Sequence, residues 1–298
     1  MAMELQNMLK LTIKTFDTST PGVKVTLTSQ NGTVLSCDVL RKVGDVLGLK
    51  KESLCHFVIC QGLEAPIRCF KKGDIILDDQ QDLSLQKWCF DLKEERNLIQ
   101  KDPVATNLIF FQAHHDILTG KLKPTKEQEE RLRDCLDPDF PADGQYIKLC
   151  QNLPGYSSIQ ISGCNIIESL PTVLAVFPYP STVDVVLSRF GLNFISVDNS
   201  SKFTWYDLMM WCVNHQRQTI VFTFKRHNSQ VMSVPLFTKQ LQFMTAAMME
   251  MLRLLQTYDS DSDTAFHAEM IVTQEDGSVE WTNCFYDPCK SALYADQL

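Results

Sequence analysis

The chain has 298 residues, 44% of them apolar and 21% charged, with a formal net charge of −8. That balance is globular, the length suits two or three packed units, and the acidity excludes duplex nucleic acid as the expected partner, because phosphate binding needs a basic face. No apolar run approaches the roughly 18 residues of a membrane-spanning helix, and the opening MAMELQNMLKL lacks the layout of a signal peptide. Eleven cysteines are scattered without a CxxC, many in apolar surroundings such as Cys55, Cys60, Cys89, Cys150 and Cys212. This predicts buried thiols in a reducing, cytoplasmic setting, with no disulfide framework and no zinc site.

The first strand signal is the alternation VKVTLTS, residues 23–29. Asn31-Gly32 then reads as a hairpin turn, with residues 33–35 returning as a short second strand. Ser36 or Asp38 would cap a helix whose apolar stripe is Val39, Leu40, Val43, Val46 and Leu47, and Gly48 would stop it. Residues 56–60, 75–77 and 85–90 read as further strands, so the first ninety residues suggest a small β-grasp unit. The character then changes. LKEERNLIQ is helical, Asp102-Pro103 starts another helix that runs to Gly120, Pro124 and Thr125 open a third, and residues 146–153 form a last short one. From Ser158 the strand pattern returns through SIQIS, TVLAVF, DVVLSRFGLNFISVD, FTWYDLMMWCVNH, QTIVFTFKR and QVMSVPLF. One long helix follows, residues 239–258. The tail begins DSDSD and carries a hairpin pattern, AEMIVT-QEDG-SVEWTN.

The stretch 203–215 is unusual because residues 208–213 are all apolar. Strict alternation puts Leu208, Met210 and Cys212 on one face and Met209, Trp211 and Val213 on the other. One row has to be covered by something beyond its own sheet.

The order of β-grasp unit, helical unit and strands closed by a helix resembles a FERM module. TNLIFFQAHHDILTGKLKPT, residues 106–125, looks like the signature of the second FERM lobe, with its segment Asp116-Ile117-Leu118-Thr119-Gly120-Lys121-Leu122. SLQKWCFDLKEE (84–95), the segment from Tyr146 to Tyr156, and TWYDLMMWC with Trp205 and Trp211 are similar to the FERM-like module of the PX-FERM sorting nexins. No PX-like segment is expected among these residues, where the sorting nexins carry one ahead of this module. The resemblance implies an α+β, three-lobed architecture. Residues 10–90 would be a ubiquitin-like lobe, 91–157 a helical lobe of acyl-CoA-binding-protein type, 158–258 a PH/PTB-like lobe and 259–298 a tail.

The resemblance also implies a non-enzymatic adaptor of endosomal sorting and recycling, in the cytoplasm and peripheral on endosomes. It would bind NPxY or NxxY motifs in the cytoplasmic tails of membrane proteins by adding them as a strand to the third lobe. Met209, Trp211 and Val213 would then line the peptide groove, with Met249, Leu252 and Gln256 on the neighbouring helix; in the sorting nexins an apolar residue is expected where Gln256 stands. Lys225, Arg226 and Lys239 would be a small contact for anionic lipid, giving only weak membrane association in isolation. The alternative is a scaffold or regulatory subunit. Its groove would be closed by its own tail, or a small GTPase would sit on the first lobe. No cofactor, nucleic acid or metal is expected: GxGxxG and GxxxxGK[ST] are absent, no cysteine has a partnered histidine signature, and His114 and His115 point about 100° apart on a helix.

Overall fold

The computed structural model describes residues 7–29, 31–137, 142–168, 174–226, 230–258, 267–273 and 279–285. The chain divides into two compact units between Ser157 and Ser158.

In the first unit, β1 (Asn7–Ile13) and β2 (Val23–Ser29) form an antiparallel hairpin. Leu9, Leu11 and Ile13 alternate inward along β1, a period-two pattern that adds a strand ahead of residues 23–29. Asn31 and Gly32 do adopt positive φ, 53° and 75°. The residues beyond them, β3 (Thr33–Leu35), do not return along β2, however, and pair instead with a later strand. The turn chemistry was legible; the partner was not, because a three-residue strand carries almost no pairing information.

Helix α1 (Ser36–Leu47) ends on Gly48 in the left-handed region, as expected. Its N-cap is Leu35, with no side-chain cap. The Ser36 hydroxyl donates to the Lys71 carbonyl instead. A 3-10 turn (Lys51–His56) leads into β4 (Phe57–Gln61), followed by β5 (Arg68–Phe70), β6 (Ile75–Leu77) and β7 (Leu83–Lys87). β4 lies between β5 and β7, and β6 is the partner of β3. Lys14, just past β1, bridges to β7 in parallel, donating to the Leu83 carbonyl at 2.8 Å and accepting from the Leu85 N–H at 2.9 Å.

The helices follow as α2 (Leu92–Lys101), α3 (Pro103–Leu118), α4 (Lys126–Asp134) and α5 (Asp143–Cys150). Thr125 and Gln128 form a capping box on α4. A single apolar core runs from Leu9, Ile13 and Val43 through Ile59 and Leu85 to Ile109, Ala113 and Tyr146. The strands and helices of this unit are therefore packed as one body, across the lobe boundary expected at 90/91.

Asp102 shows why they hold together. It is 1% exposed. One carboxylate oxygen accepts from the Val104 and Ala105 N–H groups at the start of α3, at 3.0 and 3.2 Å. The other accepts from the Lys50 N–H at 2.9 Å and the Ser53 hydroxyl at 2.7 Å. Burial pushes this carboxyl's pKa up, and the hydrogen bonds from Ser53, Lys50, Ala105 and Val104 together bring it below the ordinary aspartate value. A depressed folded-state pKa means the stabilisation is complete above the unfolded-state value and is lost as pH falls through the folded one. Asp102→Asn should therefore cost about 1.5–3 kcal/mol, the scale of a hydrogen bond to a charged group. Urea titrations at neutral pH and in strong acid check this: the wild-type advantage should be full at pH 7 and vanish at the acid end.

In the second unit the strand order is β12-β11-β10-β8-β15-β14-β13-β16-β17. The elements are β8 (Ile159–Ile166), β9 (Leu174–Ala175), β10 (Thr182–Ser188), β11 (Gly191–Ile195), β12 (Ser200–Thr204), β13 (Leu208–Asn214), β14 (Thr219–Lys225), β15 (Val231–Phe237), α6 (Leu241–Tyr258), β16 (His267–Thr273) and β17 (Val279–Phe285). β9 adds in parallel to β15.

β8 turns the corner of this sheet. Most of its length pairs with β10, while its last residues, Asn165 and Ile166, pair with β15. The bend sits where the register slips between Val183 and Val185. Gly163 there has φ 67°, and its N–H donates to Asp184 Oδ1 at 2.9 Å. The folded sheet encloses an aromatic core. Phe203 stacks on Phe224 at 4.0 Å, and Phe194 stands edge-on to Phe222 at 5.6 Å. At Gly191, φ is 142° and an added Cβ would lie 2.0 Å from the Phe203 carbonyl oxygen, so the close crossing of β11 on β12 requires glycine.

Helix α6 buries Leu241, Met244, Met248 and Met251 as its period dictates, and also Phe243, Ala247, Leu252 and Leu254. Leu255, at the same period, is only half-buried. Among the described residues, no helix is long and apolar enough to cross a membrane.

Candidate strand-addition edge

β13 was the candidate peptide-binding strand, and the structure corrects how its side chains are arranged. Leu208 opposes Phe224 on β14, but the next aligned pair is Met210 with Thr223. Two residues of β13 thus answer to one of β14, which makes Met209 the extra residue of a bulge. Beyond the bulge the face assignment flips. Trp211 stands opposite Phe222 and Val213 opposite Ile220, and directly opposed residues share a face. Phe222 and Ile220 are fully buried, and Trp211 and Val213 are 1% and 2% exposed.

The two residues expected to line a groove are therefore core. Of the predicted row only Met209 is exposed, at 39%. The outward row is Met210, Cys212 and Asn214, each half-buried. Burial pushes the Cys212 thiol above its ordinary pKa, which disfavours a reactive thiolate. Trp205, the other tryptophan of this stretch, is also buried and donates its Nε1–H to the Ser188 carbonyl at 2.9 Å.

On α6, Leu252 is buried, whereas Met249 and Gln256 are half-buried. The six residues offered for the peptide site are thus divided among a bulge, a core row and one helix face that is buried at Leu252 and half-buried at Met249 and Gln256.

The backbone of β13 tells a different story. Its edge away from β14 is taken by β16, which runs parallel to it with Met210 beside Glu269, Cys212 beside Ile271 and Asn214 beside Thr273. β17 then pairs antiparallel with β16. The hairpin expected from AEMIVT and SVEWTN is present and is built onto the edge where an added peptide was expected. The DSDSD segment between α6 and β16 lies outside the described residues.

The proposed lipid contact does not assemble. Lys225 ends β14 opposite Val231, while Thr219, at the other end of β14, is opposite Phe237, two residues before Lys239. Six strand steps at about 3.4 Å each put Lys225 and Lys239 roughly 20 Å apart. Arg226, beside Lys225, holds its guanidinium over the Phe203 ring at 5.4 Å. His114 and His115 act in packing: His114 is 3.0 Å from the Tyr146 hydroxyl, and His115 lies against the Phe16 ring at 4.9 Å.

A shallow hollow in the second unit is lined by Asn165, Ile167, Tyr179, Ser181, Thr182 and Phe237, among others. It offers no histidine, cysteine or carboxylate, so no general acid–base pair or nucleophile converges there. In the first unit, His56, Cys89 and Glu94 form a titratable cluster that sequence spacing does not reveal.

No family model matches the sequence, and no curated protein matches it. Among solved structures, the chain is similar to the MyTH4-FERM MF1 domain of Dictyostelium discoideum myosin VII. The identity is 11% and the TM-score 0.48, over 84% of this chain and 60% of that one. The chain thus spans less than two thirds of that structure's length.

Proposed function

We propose that this chain is a non-enzymatic, FERM-type protein-interaction module whose receptive surface is the backbone edge of β13, and that its own β16–β17 hairpin occupies this edge as a resident competitor. The observation that carries the reading is the parallel ladder between Met210–Asn214 and Glu269–Thr273. An edge that accepts one extended segment through main-chain hydrogen bonds has the geometry to accept another. The ligands this reading favours are extended motifs of the NPxY or NxxY class in cytoplasmic tails of membrane proteins, with endosomal sorting as the setting. Affinity would come mainly from the backbone, because Trp211 and Val213 are committed to the core, and Met209 with the half-buried Met249 and Gln256 is left to supply side-chain contacts.

The test weakens the resident strand and measures the incoming one. In the full chain, Ile271→Pro removes one N–H and restricts the backbone of β16. If the open edge is populated below about 10%, apparent affinity for a labelled NPxY-type tail peptide should rise by at least about tenfold, since a binding-competent fraction scales the observed dissociation constant directly. Equal affinity of the two proteins would sink the competition. Absence of binding by both would sink the peptide reading itself.

A second reading has its own observation. On the β3–β6 pair, Leu35 is opposite Ile75, and Leu35, Ile75 and Leu77 are all exposed, at 44%, 52% and 43%. A scaffold or small-GTPase partner on the first lobe would cover this row. Charging it with Ile75→Asp should abolish such an interaction and leave the β13 edge unaffected.

A further inference from the structure

His56, Cys89 and Glu94 come from three different elements and meet in the first unit. His56 closes the 3-10 turn ahead of β4, Cys89 lies two residues past β7, and Glu94 is in the first turn of α2. One nitrogen, one sulfur and one carboxylate oxygen from these side chains lie within 4.8 Å of one another.

The backbone around them is fixed independently. The Trp88 N–H donates to the His56 carbonyl at 2.7 Å, which ties the segment carrying Cys89 to the one carrying His56. Asp91 caps α2, accepting from the Lys93 N–H at 2.8 Å through its side chain and from the Glu95 N–H at 2.9 Å through its carbonyl. That sets the position of Glu94. The three side chains also differ in exposure: Cys89 is buried, His56 half-buried and Glu94 exposed. The cluster is therefore open on one side and closed on the other.

We propose that these three residues form a zinc site. An imidazole, a thiolate and a carboxylate are the donor set of a borderline-soft divalent ion, and the sulfur and nitrogen argue against calcium or magnesium, which take oxygen. With bond lengths of roughly 2.0–2.3 Å, tetrahedral zinc holds its donors about 3.3–3.8 Å apart. From its outer limit of 4.8 Å the cluster needs to close by about 1–1.5 Å to reach that spacing. Water or a further ligand would complete the fourth position from the open side. Binding would displace the Cys89 thiol proton to solvent and join the 3-10 turn, the end of β7 and the start of α2 through one ion. The site is separate from the β13 edge and stands or falls independently of it.

The experiment uses the full chain, reduced and stripped with a chelator, then titrated with Co2+ and Zn2+. One equivalent of Co2+ should bind with a thiolate-to-cobalt charge-transfer band, Zn2+ should displace it, and Zn2+ should raise the melting temperature. Cys89→Ser should lose the band. His56→Gln and Glu94→Gln, at less buried positions, should keep the fold and weaken binding by at least the roughly 10–100-fold that even outer-shell partners of a metal site are worth. Cys55→Ser, beside His56 and exposed, should change nothing. The proposal is overturned if the wild-type chain takes up no metal, if the band survives Cys89→Ser, or if both His56→Gln and Glu94→Gln bind as the wild type does.

Discussion

Trp211→Ala should unfold the second unit more readily rather than only disable a binding surface. The ring is 1% exposed, and the residue opposes Phe222, which itself belongs to the aromatic cluster with Phe194, Phe203 and Phe224. Truncating a buried tryptophan costs about 3–5 kcal/mol, combining lost transfer free energy with the cavity left behind. That is a large share of a domain's roughly 5–15 kcal/mol. In melting temperature it corresponds to a loss on the order of 10–20 °C for a unit of this size. Met209→Ala, at the exposed bulge position, is the comparison and should stay within about 0.5 kcal/mol. Calorimetry on both variants separates the two expectations. Equal, small losses would return Trp211 to the surface.

The second large effect is expected at Glu95, which is 0% exposed. Lys87 Nζ is 2.6 Å from one of its oxygens. The Tyr156 hydroxyl and the Gln151 amide donate to the other at 2.7 and 2.8 Å. Arg96 in turn donates to Gln151 at 3.0 Å, and the Lys87 ammonium sits 4.1 Å from the centre of the Tyr156 ring. This node ties the end of β7 to α2 and to the segment after α5. A buried pair contributes little net stability over an apolar replacement, but removing one member leaves an uncompensated charge, at about 3–5 kcal/mol. Lys87→Met alone should therefore be severely destabilising. Lys87→Met with Glu95→Leu should recover part of the loss, and only part, because Tyr156 and Gln151 would then lack their acceptor. Denaturant titrations of the two singles and the double give the coupling directly. Additive losses would show that Lys87 and Glu95 do not act as a unit.

The elements were largely readable because each carries a local signal. Asp102-Pro103, the Thr125 capping box, the Gly48 stop and the tail hairpin all follow from residues next to one another in the chain. What could not be read depends on partners distant in sequence. The bulge at Met209 is defined by how β13 aligns with β14. A slip of one position exchanges every inward and outward side chain, so a correct strand assignment still placed Trp211 and Val213 on the wrong face. The burial of Glu95 was equally invisible: LKEERNLIQ reads as a solvated helix, and its ion-pair partner lies 8 positions away and its hydrogen-bond donors 56 and 61. The His56–Cys89–Glu94 cluster escaped for the same reason. Metal-ligand spacing rules recognise ligands clustered along the chain, and these three are brought together by a 3-10 turn, a strand end and a helix start.

The tail hairpin changes what the sheet presents to a second copy of the chain. A sheet ending on β13 would present a row of unpaired N–H and C=O groups along a strand that is apolar from Leu208 to Val213. Such a border is a template for pairing with a second copy and for aggregation. By adding β16 and β17 the chain moves its terminal strand outward to VEWTNCF, which carries a glutamate and an asparagine. Any ligand that displaces the hairpin must therefore protect the β13 border as well as occupy it, because an opened border left uncovered is free to pair with another chain.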